Sequence, residues 1–388
     1  MSFINNNSNE YFRTVISDEL KKSGLQELND QSSPDKIFYC DISYSDRNNP
    51  TFSKCEVVNQ LQNVNPLGNK KDQYNIHLNY YKTRPDYIPL TISFNRDTTE
   101  ELKQLFVSNP RDDPPVYIVK PENSSFRAGV GISRNYLELI SHLDHYSDYK
   151  DWVIQEYIDN PLLINNRKFH FRIYVIYVQT ENSTSAYLSK HGFIYTANKE
   201  FEPDTFDTDI VLSGENSKNN VFYIPEDFTK NFGKQNWDNI VYPQIVKIAR
   251  ETLRSTVEHL KCPAKKQKCF KILGYDILIN KDLKCFLAEI NARTVTYKYP
   301  NKKFNDTFYR NILKIVLEKK SLSTPELIKA KLPYERIFFK NDGTIVEGFN
   351  NINNHNFKSK KTFYNYYRNI FFPFLMLILI FVVFQLRH

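Results

Sequence analysis

The sequence predicts a mixed body of helices and strands, followed by one membrane-spanning helix. Three observations carry this reading. Short apolar runs with strand-like alternation recur between stretches of helical spacing. Hydrophobic residues make up 41% and aromatic residues 15% of the 388, enough for a large core. Residues 370–386 read IFFPFLMLILIFVVFQL, with no charge and only Gln385 polar.

Taken in order, residues 1–38 form a polar N-terminal segment with a helix expected around Ser17–Leu28. Residues 39–110 read as an N-terminal α/β subdomain. Short apolar runs alternate there with Asn, Pro and Asp, and Thr99–Leu105 has helical character. The main body is placed at 111–320. Within it VYIVK (116–120), WVIQEYI (152–158), FHFRIYVIYV (169–178) and GFIYT (192–196) read as strands. Arg134–His145 and Pro243–Leu260 read as helices, the second amphipathic. Residues 321–368, rich in Lys and Asn, read as a spacer, and 369–386 as the membrane span. No internal repeat is present.

A helix of this apolar length stands at the short end of the roughly 17–25 residues that cross a bilayer. The preceding KSKKTFYNYYR supplies Lys358, Lys360, Lys361 and Arg368 with Tyr364, Tyr366 and Tyr367, a positive cytoplasmic flank and an aromatic belt. A core helix rarely stays apolar on every face. The expectation is a tail-anchored protein, body in the cytosol, in a thin membrane such as the endoplasmic reticulum.

Formal net charge is +8, which suits phosphates, anionic lipid or an acidic protein tail without choosing among them. Nucleic acid is not among the expected partners. The five cysteines are odd in number and lack CxxC spacing, so they read as free thiols of a reducing compartment. A zinc reading of His259, Cys262 and Cys269 lacks a fourth ligand.

GYDILIN (274–280) and CFLAEIN (285–291), joined by KDLK, read as a β-hairpin. Pairing Asn280 with Cys285 sets Asp276 opposite Glu289, and Asn291 shares their face one step on. The other face is Tyr275, Ile277, Ile279, Phe286, Ala288 and Ile290. Two adjacent carboxylates repel unless a cation lies between them, and hard oxygen donors suit Mg²⁺. The alternative is a hairpin end that merely meets solvent.

In RKFHFRIYVIYV (167–178), Lys168, His170 and Arg172 share one face of a strand whose other face is Phe169, Phe171 and Ile173. Such a cationic stripe calls for an anion, a nucleotide phosphate or a row of structural ion pairs. VYIVKPENSSFRAGVGI (116–132) sets Lys120 at a strand end before a loop with Gly129 and Gly131, which permits close approach of a phosphate. Gln155, Glu156, Tyr157 and Ile158 end a strand whose main chain could meet an adenine edge.

In this order, strand-Lys-Pro with a Ser/Gly loop, QEYI, PLLINNRKFHFRIYV, GYDILIN and LAEIN resemble the tubulin-tyrosine-ligase-like family, over residues 75–320. The segment 79–106 is similar to that family's approach to its nucleotide site. The resemblance implies an α+β ATP-grasp fold, with mixed and antiparallel sheets sandwiching the nucleotide, and an ATP- and Mg²⁺-dependent carboxylate–amine ligase. It would add a free amino acid to an acidic protein acceptor such as a tubulin tail, through an acyl-phosphate. Lys120, Lys168 and His170 would lie at the phosphates, covered by Gly129 and Gly131, and Gln155, Glu156, Tyr157 and Ile158 at adenine. Asp276, Glu289 and Asn291 would hold Mg²⁺, and Arg172 would steady the transferred phosphoryl.

The sequence also departs from the family. His170 stands where an acidic residue is usual, and Tyr195 where an arginine is usual. DIVLSGENS (209–217) replaces an HLTN-like segment, and the glycine loop is about two residues longer. Phosphoryl transfer to a small substrate, and a membrane-tethered binding module with little or no turnover, therefore stay open as alternatives.

Overall fold

The chain opens on a strand, where its composition suggested only a polar segment. Phe3 and Ile4 bury in β1 (Ser2–Asn5), and α1 (Glu10–Lys22) begins well before the expected Ser17. Glu10 lies in its first turn and Lys21 and Lys22 in its last, matching the helix dipole. Strands β2 (Gln26–Glu27), β3 (Ile37–Asp41) and β4 (Cys55–Val58) follow, all paired in parallel with their neighbours.

The structure is a computed structural model that describes residues 1–5, 10–28, 37–41, 53–107, 115–122, 129–203, 205, 207–214, 221–292, 302–341 and 344–345. It divides into two units, Met1–Gly348 and Phe349–His388. The second unit, and with it the expected membrane span, lies outside the described residues. Among the described residues no helix is long and apolar enough to cross a membrane.

After α2 (Asn65–Gly68) and α3 (Lys70–Tyr81, capped by Asn69) comes a small antiparallel sheet. Its strands are β5 (Thr91–Asn95), β6 (Tyr117–Pro121), β7 (Gly131–Ser133) and β8 (Asp151–Glu156), in the order β5-β8-β6-β7. Helices α4 (Glu100–Val107) and α5 (Tyr136–His145) close its core through Leu102, Leu105, Leu139 and Leu143 against Trp152.

The remaining strands build one large mixed sheet around β10 (Arg167–Gln179), which takes in β9 (Leu163–Ile164), β11 (Ser183–Ser189) and β12 (Gly192–Thr196). A covering stretch carries α6 (Thr208–Val211), β13 (Val221–Ile224), α7 (Glu226–Phe232) and α8 (Lys234–Asn236). A π-turn at Trp237–Val241 leads into α9 (Tyr242–Thr256). The hairpin β14 (Lys268–Ile279) and β15 (Cys285–Asn291) precedes α10 (Lys302–Leu317), α11 (Thr324–Lys329), β16 (Tyr334–Asn341) and β17 (Thr344–Ile345).

Strand β10 is buried on both faces, and the two faces differ. Phe169, Phe171, Ile173 and Val175 pack with Ile245, Ile248 and Leu253 of α9. Tyr174, Ile176 and Val178 pack with Ile16 and Leu20 of α1 and Ile312 and Val316 of α10. Lys168, His170 and Arg172 lie earlier along that second face, so one face turns from apolar to cationic along a single strand.

Three expectations are corrected here. Residues 321–341 are not spacer: β16 pairs with β11 throughout Ser183–Ser189, and a Ser323–Glu326 capping box starts α11. Residues 39–110 are not one subdomain, because β3 and β4 extend the large sheet while β5 belongs to the small one. The cysteines are not all free thiols. Cys40 bonds Cys55 and Cys262 bonds Cys269, which also removes the zinc reading, while Cys285 remains a buried thiol.

Candidate active site

Sheet register brings the acidic and basic residues together. Arg172 pairs with Asp276 across β10 and β14, and Asp276 pairs with Glu289 across β14 and β15. The three form one row over three strands. The hairpin reaches this row differently from the sequence expectation. Cys285 pairs with Ile279 rather than Asn280, so the turn is one residue longer, and a bulge between Leu287 and Glu289 takes up the difference. Core-facing positions before the bulge are therefore Cys285 and Leu287, not Phe286 and Ala288; Ala288 instead lines the cleft.

Arg172 grips Asp276 with two bonds, Nε to Oδ1 at 2.5 Å and one terminal nitrogen to Oδ2 at 3.0 Å. Asn291 Nδ2 donates to Asp276 Oδ2 at 3.0 Å and to Glu289 Oε1 at 3.3 Å. Lys70, at the start of α3, lies 3.7 Å from Glu289. Burial pushes Asp276 up to about 7, with the Glu289 charge adding to it and Arg172 opposing it. For Glu289 burial also acts upward, but Lys70, Lys120 and Arg172 together outweigh it and hold the group down to about 2.

Across a cleft of about 140 Å³ stand two lysines. Lys120 Nζ donates to Gln155 Oε1 at 3.4 Å, and Gln155 is itself fixed by a 2.9 Å bond from its Nε2 to Thr91 Oγ1. Lys168, 2% exposed, donates to the Ile158 carbonyl at 3.2 Å and lies 3.6 Å over the Tyr157 ring. Burial lowers both lysines, Lys120 to about 8 and Lys168 well below the ordinary lysine value. Each also feels another lysine: Lys70 acts on Lys120, and Lys120 on Lys168. Ile118, Ile158, Val211, Leu212 and Leu278 give the cleft apolar walls.

His170 lines the same cleft, its Nδ1 2.6 Å from Ser213 Oγ and its Nε2 3.7 Å from Asp276 Oδ1. Tyr195 pairs with His170 in the register of β10 and β12, and Arg172 lies 5.8 Å from its ring centre. Glu156 faces Arg84 at 3.9 Å. The main-chain amides of Glu156 and Tyr157 donate to Leu90 and Val116, so at this edge the two residues offer side chains rather than amide donors.

Of the expected site residues, Lys120, Gln155, Glu156, Tyr157, Ile158, Lys168, His170, Asp276 and Glu289 meet at this cleft, with Arg172 and Asn291 bonded to its carboxylates. Gly129 and Gly131 are not among its lining. Gly131 is pressed on α5, where an added Cβ would fall 2.5 Å from His142 Cδ2. The Gly129 carbonyl accepts from or faces His142 Nε2 at 3.0 Å. Residues 123–128 of that loop lie outside the described residues. Lys70 carries no sequence signal, and Val211, Leu212 and Ser213 fall in the DIVLSGENS segment, which the resemblance sets at an HLTN-like position without giving its residues a role.

Among the described residues no cluster of three or more His, Cys, Asp and Glu side chains stands ready for a metal. The available donor set is two carboxylates and one amide. It fits a hard cation: the Asn291 amide bridges both acids with its Nδ2, the place a cation would favour, and turning it presents an oxygen instead. Each oxygen of Asp276 keeps acceptor capacity beside its Arg172 bond.

The sequence model of the tubulin-tyrosine ligase family matches residues 47–328. A probable alpha-tubulin polyglutamylase of Tetrahymena thermophila is 26% identical over 264 residues, 60% of this chain and 60% of that protein. A tubulin polyglutamylase of Homo sapiens is 24% identical over 320 residues, 73% of this chain and 34% of its own length. A tubulin glycylase of Tetrahymena thermophila is 24% identical over 246 residues, 56% of this chain and 22% of its own length. The chain thus spans less than two thirds of each of these relatives.

Proposed function

Because the chain belongs to the tubulin-tyrosine ligase family, we propose that it is an ATP- and Mg²⁺-dependent carboxylate–amine ligase of ATP-grasp type. It joins a free amino acid to a protein acceptor, and the names of its relatives make a tubulin tail the acceptor of choice. The carboxylate of the acceptor attacks the γ-phosphorus and ADP leaves; the amine of the amino acid then attacks the acyl carbon and phosphate leaves.

One observation carries this reading. A buried lysine, Lys168, and a half-buried one, Lys120, whose charges oppose each other, face two carboxylates that repel each other, across one cleft with apolar walls. An anion relieves the first pair and a cation the second, and a magnesium nucleotide brings both. Lys120 and Lys168 would hold phosphate oxygens. Tyr157, Ile118, Leu278 and Val211 would enclose the base. Asp276, Glu289 and Asn291 would hold Mg²⁺, which offsets charge on the phosphates. Arg172, already poised on Asp276, would meet the transferred group from β10. No protein nucleophile is required, and the chain's contribution is positioning and charge.

The test is ATP-dependent incorporation of labelled glutamate or glycine into tubulin by the full chain. Incorporation that requires Mg²⁺ and is lost in Glu289→Gln supports the reading. Passage of the γ-phosphoryl to a small molecule with no amino acid present would replace it with a kinase.

The apolar run at 369–386 is proposed to tether this body to a membrane from the cytosolic side, on hydropathy and flanking charge alone. Ending the chain near Asn353 should then release it from membranes, and continued sedimentation with them would remove the proposal.

A further inference from the structure

One line of hydrogen bonds crosses the small sheet and ends at the cleft. Thr91 of β5 lies directly opposite Gln155 of β8, and Ile118 of β6 opposes Gln155 from the other side. Opposed strand residues share a face, and Lys120 comes two residues after Ile118, so it stands on that face too. Gln155 and Lys120 line the cleft, whereas Thr91 lies behind them, only 4% exposed.

Each bond in the line can run only one way. The Thr91 hydroxyl gives its single proton to the Pro89 carbonyl at 2.9 Å. Its oxygen is then left to accept, and it does so from Gln155 Nε2 at 2.9 Å. That fixes the amide: its nitrogen faces Thr91 and its Oε1 is turned to Lys120, which donates to it at 3.4 Å. An ammonium has donors alone, so the opposite amide orientation would set donor against donor. The anchor matters because half-buried Lys120 stands among like charges, with Lys70 acting on it and Lys168 feeling it in turn.

We propose that Thr91 is a positioning residue, which sets the amide of Gln155 and through it holds the Lys120 ammonium in place for an anion in the cleft. Thr91→Val keeps a β-branched side chain in the strand and removes the hydroxyl, whereas Thr91→Ser keeps the hydroxyl. The consequence for affinity rests on the proposed nucleotide site, but the line of bonds can be tested without it.

The experiment uses the full chain with ¹⁵N-labelled glutamine, the side-chain amide of Gln155 being assigned by loss of its signals in Gln155→Leu. Hydrogen exchange at that amide should be slow in the wild type and Thr91→Ser, and on the order of 10-fold faster in Thr91→Val. In the same proteins a non-hydrolysable ATP analogue with Mg²⁺ should bind on the order of 10-fold more weakly to Thr91→Val, with Thr91→Ser keeping the affinity. Added to Lys120→Met, Thr91→Val should cost no further affinity, because the line of bonds then has no ammonium to hold. Unchanged exchange in Thr91→Val overturns the proposal, as does unchanged affinity despite faster exchange. An equal loss in the Lys120→Met background also overturns it, and would show Thr91 to serve packing alone. Absence of any nucleotide binding by wild-type protein with the exchange effect present upholds the line of bonds, and the failure then falls on the proposed function.

Discussion

Glu289 stands opposite Asp276 on the cleft face because Ala288 is an extra residue in its strand. Strand side chains alternate, so Glu289, an even step from the core-facing Cys285 and Leu287, would otherwise point into the core. The bulge turns a burial liability into one half of a carboxylate pair.

That relationship predicts an unusual deletion pattern. Removing Ala288 restores a regular hairpin and leaves Glu289 opposite Asp276, so folding and nucleotide binding should persist. Removing Leu287 and Ala288 together sets Glu289 opposite Ile277, on the core side. An unpaired buried carboxylate costs roughly 3–5 kcal/mol, so the double deletion should unfold at a markedly lower temperature. Melting curves of the two variants decide it.

Lys168 should cost the free protein stability. Its folded-state pKa is well below that of an exposed lysine, because burial and Lys120 disfavour its charge. Lys168→Met keeps the apolar stem and removes that penalty. The ligand-free variant should be more stable by on the order of 1 kcal/mol, yet lose nucleotide binding. A lower melting temperature would show the lysine to be structural.

Nucleotide binding should be bell-shaped in pH. Asp276 titrates near 7 and must lose its proton to hold a cation, so affinity rises toward that value. Lys120 titrates near 8 and must keep its proton to hold phosphate, so affinity falls above it. Stability of the ligand-free protein moves differently. The folded state keeps a proton on Asp276 that the unfolded chain releases near 4, so this contribution is lost as pH rises toward about 7. Calorimetric titration with a non-hydrolysable analogue at several pH values measures the first effect, and thermal melts the second.

Much of this site was legible in the sequence, for a physical reason. Period-2 alternation sets Lys168, His170 and Arg172 on one face, and a short turn sets Asp276 opposite Glu289. The turn length predicts a register one residue off at Cys285, and the bulge restores the Asp276–Glu289 pair. Contacts such as Lys70 with Glu289 or Ser213 with His170 join segments far apart in the chain, and no local pattern encodes them. Strand β16 was hidden by the Lys- and Asn-rich composition around it, although Ile337 and Phe338 are fully buried. Disulfide pairing depends on which strands become neighbours, which cysteine spacing does not reveal.

The Cys40–Cys55 bridge closes a 15-residue separation between β3 and β4, and Cys262–Cys269 one of 7 residues that ends within β14. Peptide mapping without reductant should recover both pairs and one free thiol at Cys285. Reduction should lower stability by about 2–4 kcal/mol for each bridge. Five free thiols in the native, unreduced protein would contradict the pairing.

Gly131 tests whether its loop serves packing or phosphate. Gly131→Ala forces a Cβ against the His142 ring, which should cost about 1–3 kcal/mol. Affinity per folded molecule should stay the same. A stable variant with weakened nucleotide binding would return the residue to the phosphates.

The most direct measurement is the affinity of the full chain for an ATP analogue with and without Mg²⁺, in the wild type, Asp276→Asn and Glu289→Gln. The account predicts binding that magnesium strengthens, and a loss of that magnesium effect in both variants with a residual, metal-independent affinity held by Lys120 and Lys168. Equal affinity in all three proteins, or none in the wild type, would contradict the claim that the lysine pair and the carboxylate pair form one metal–nucleotide site.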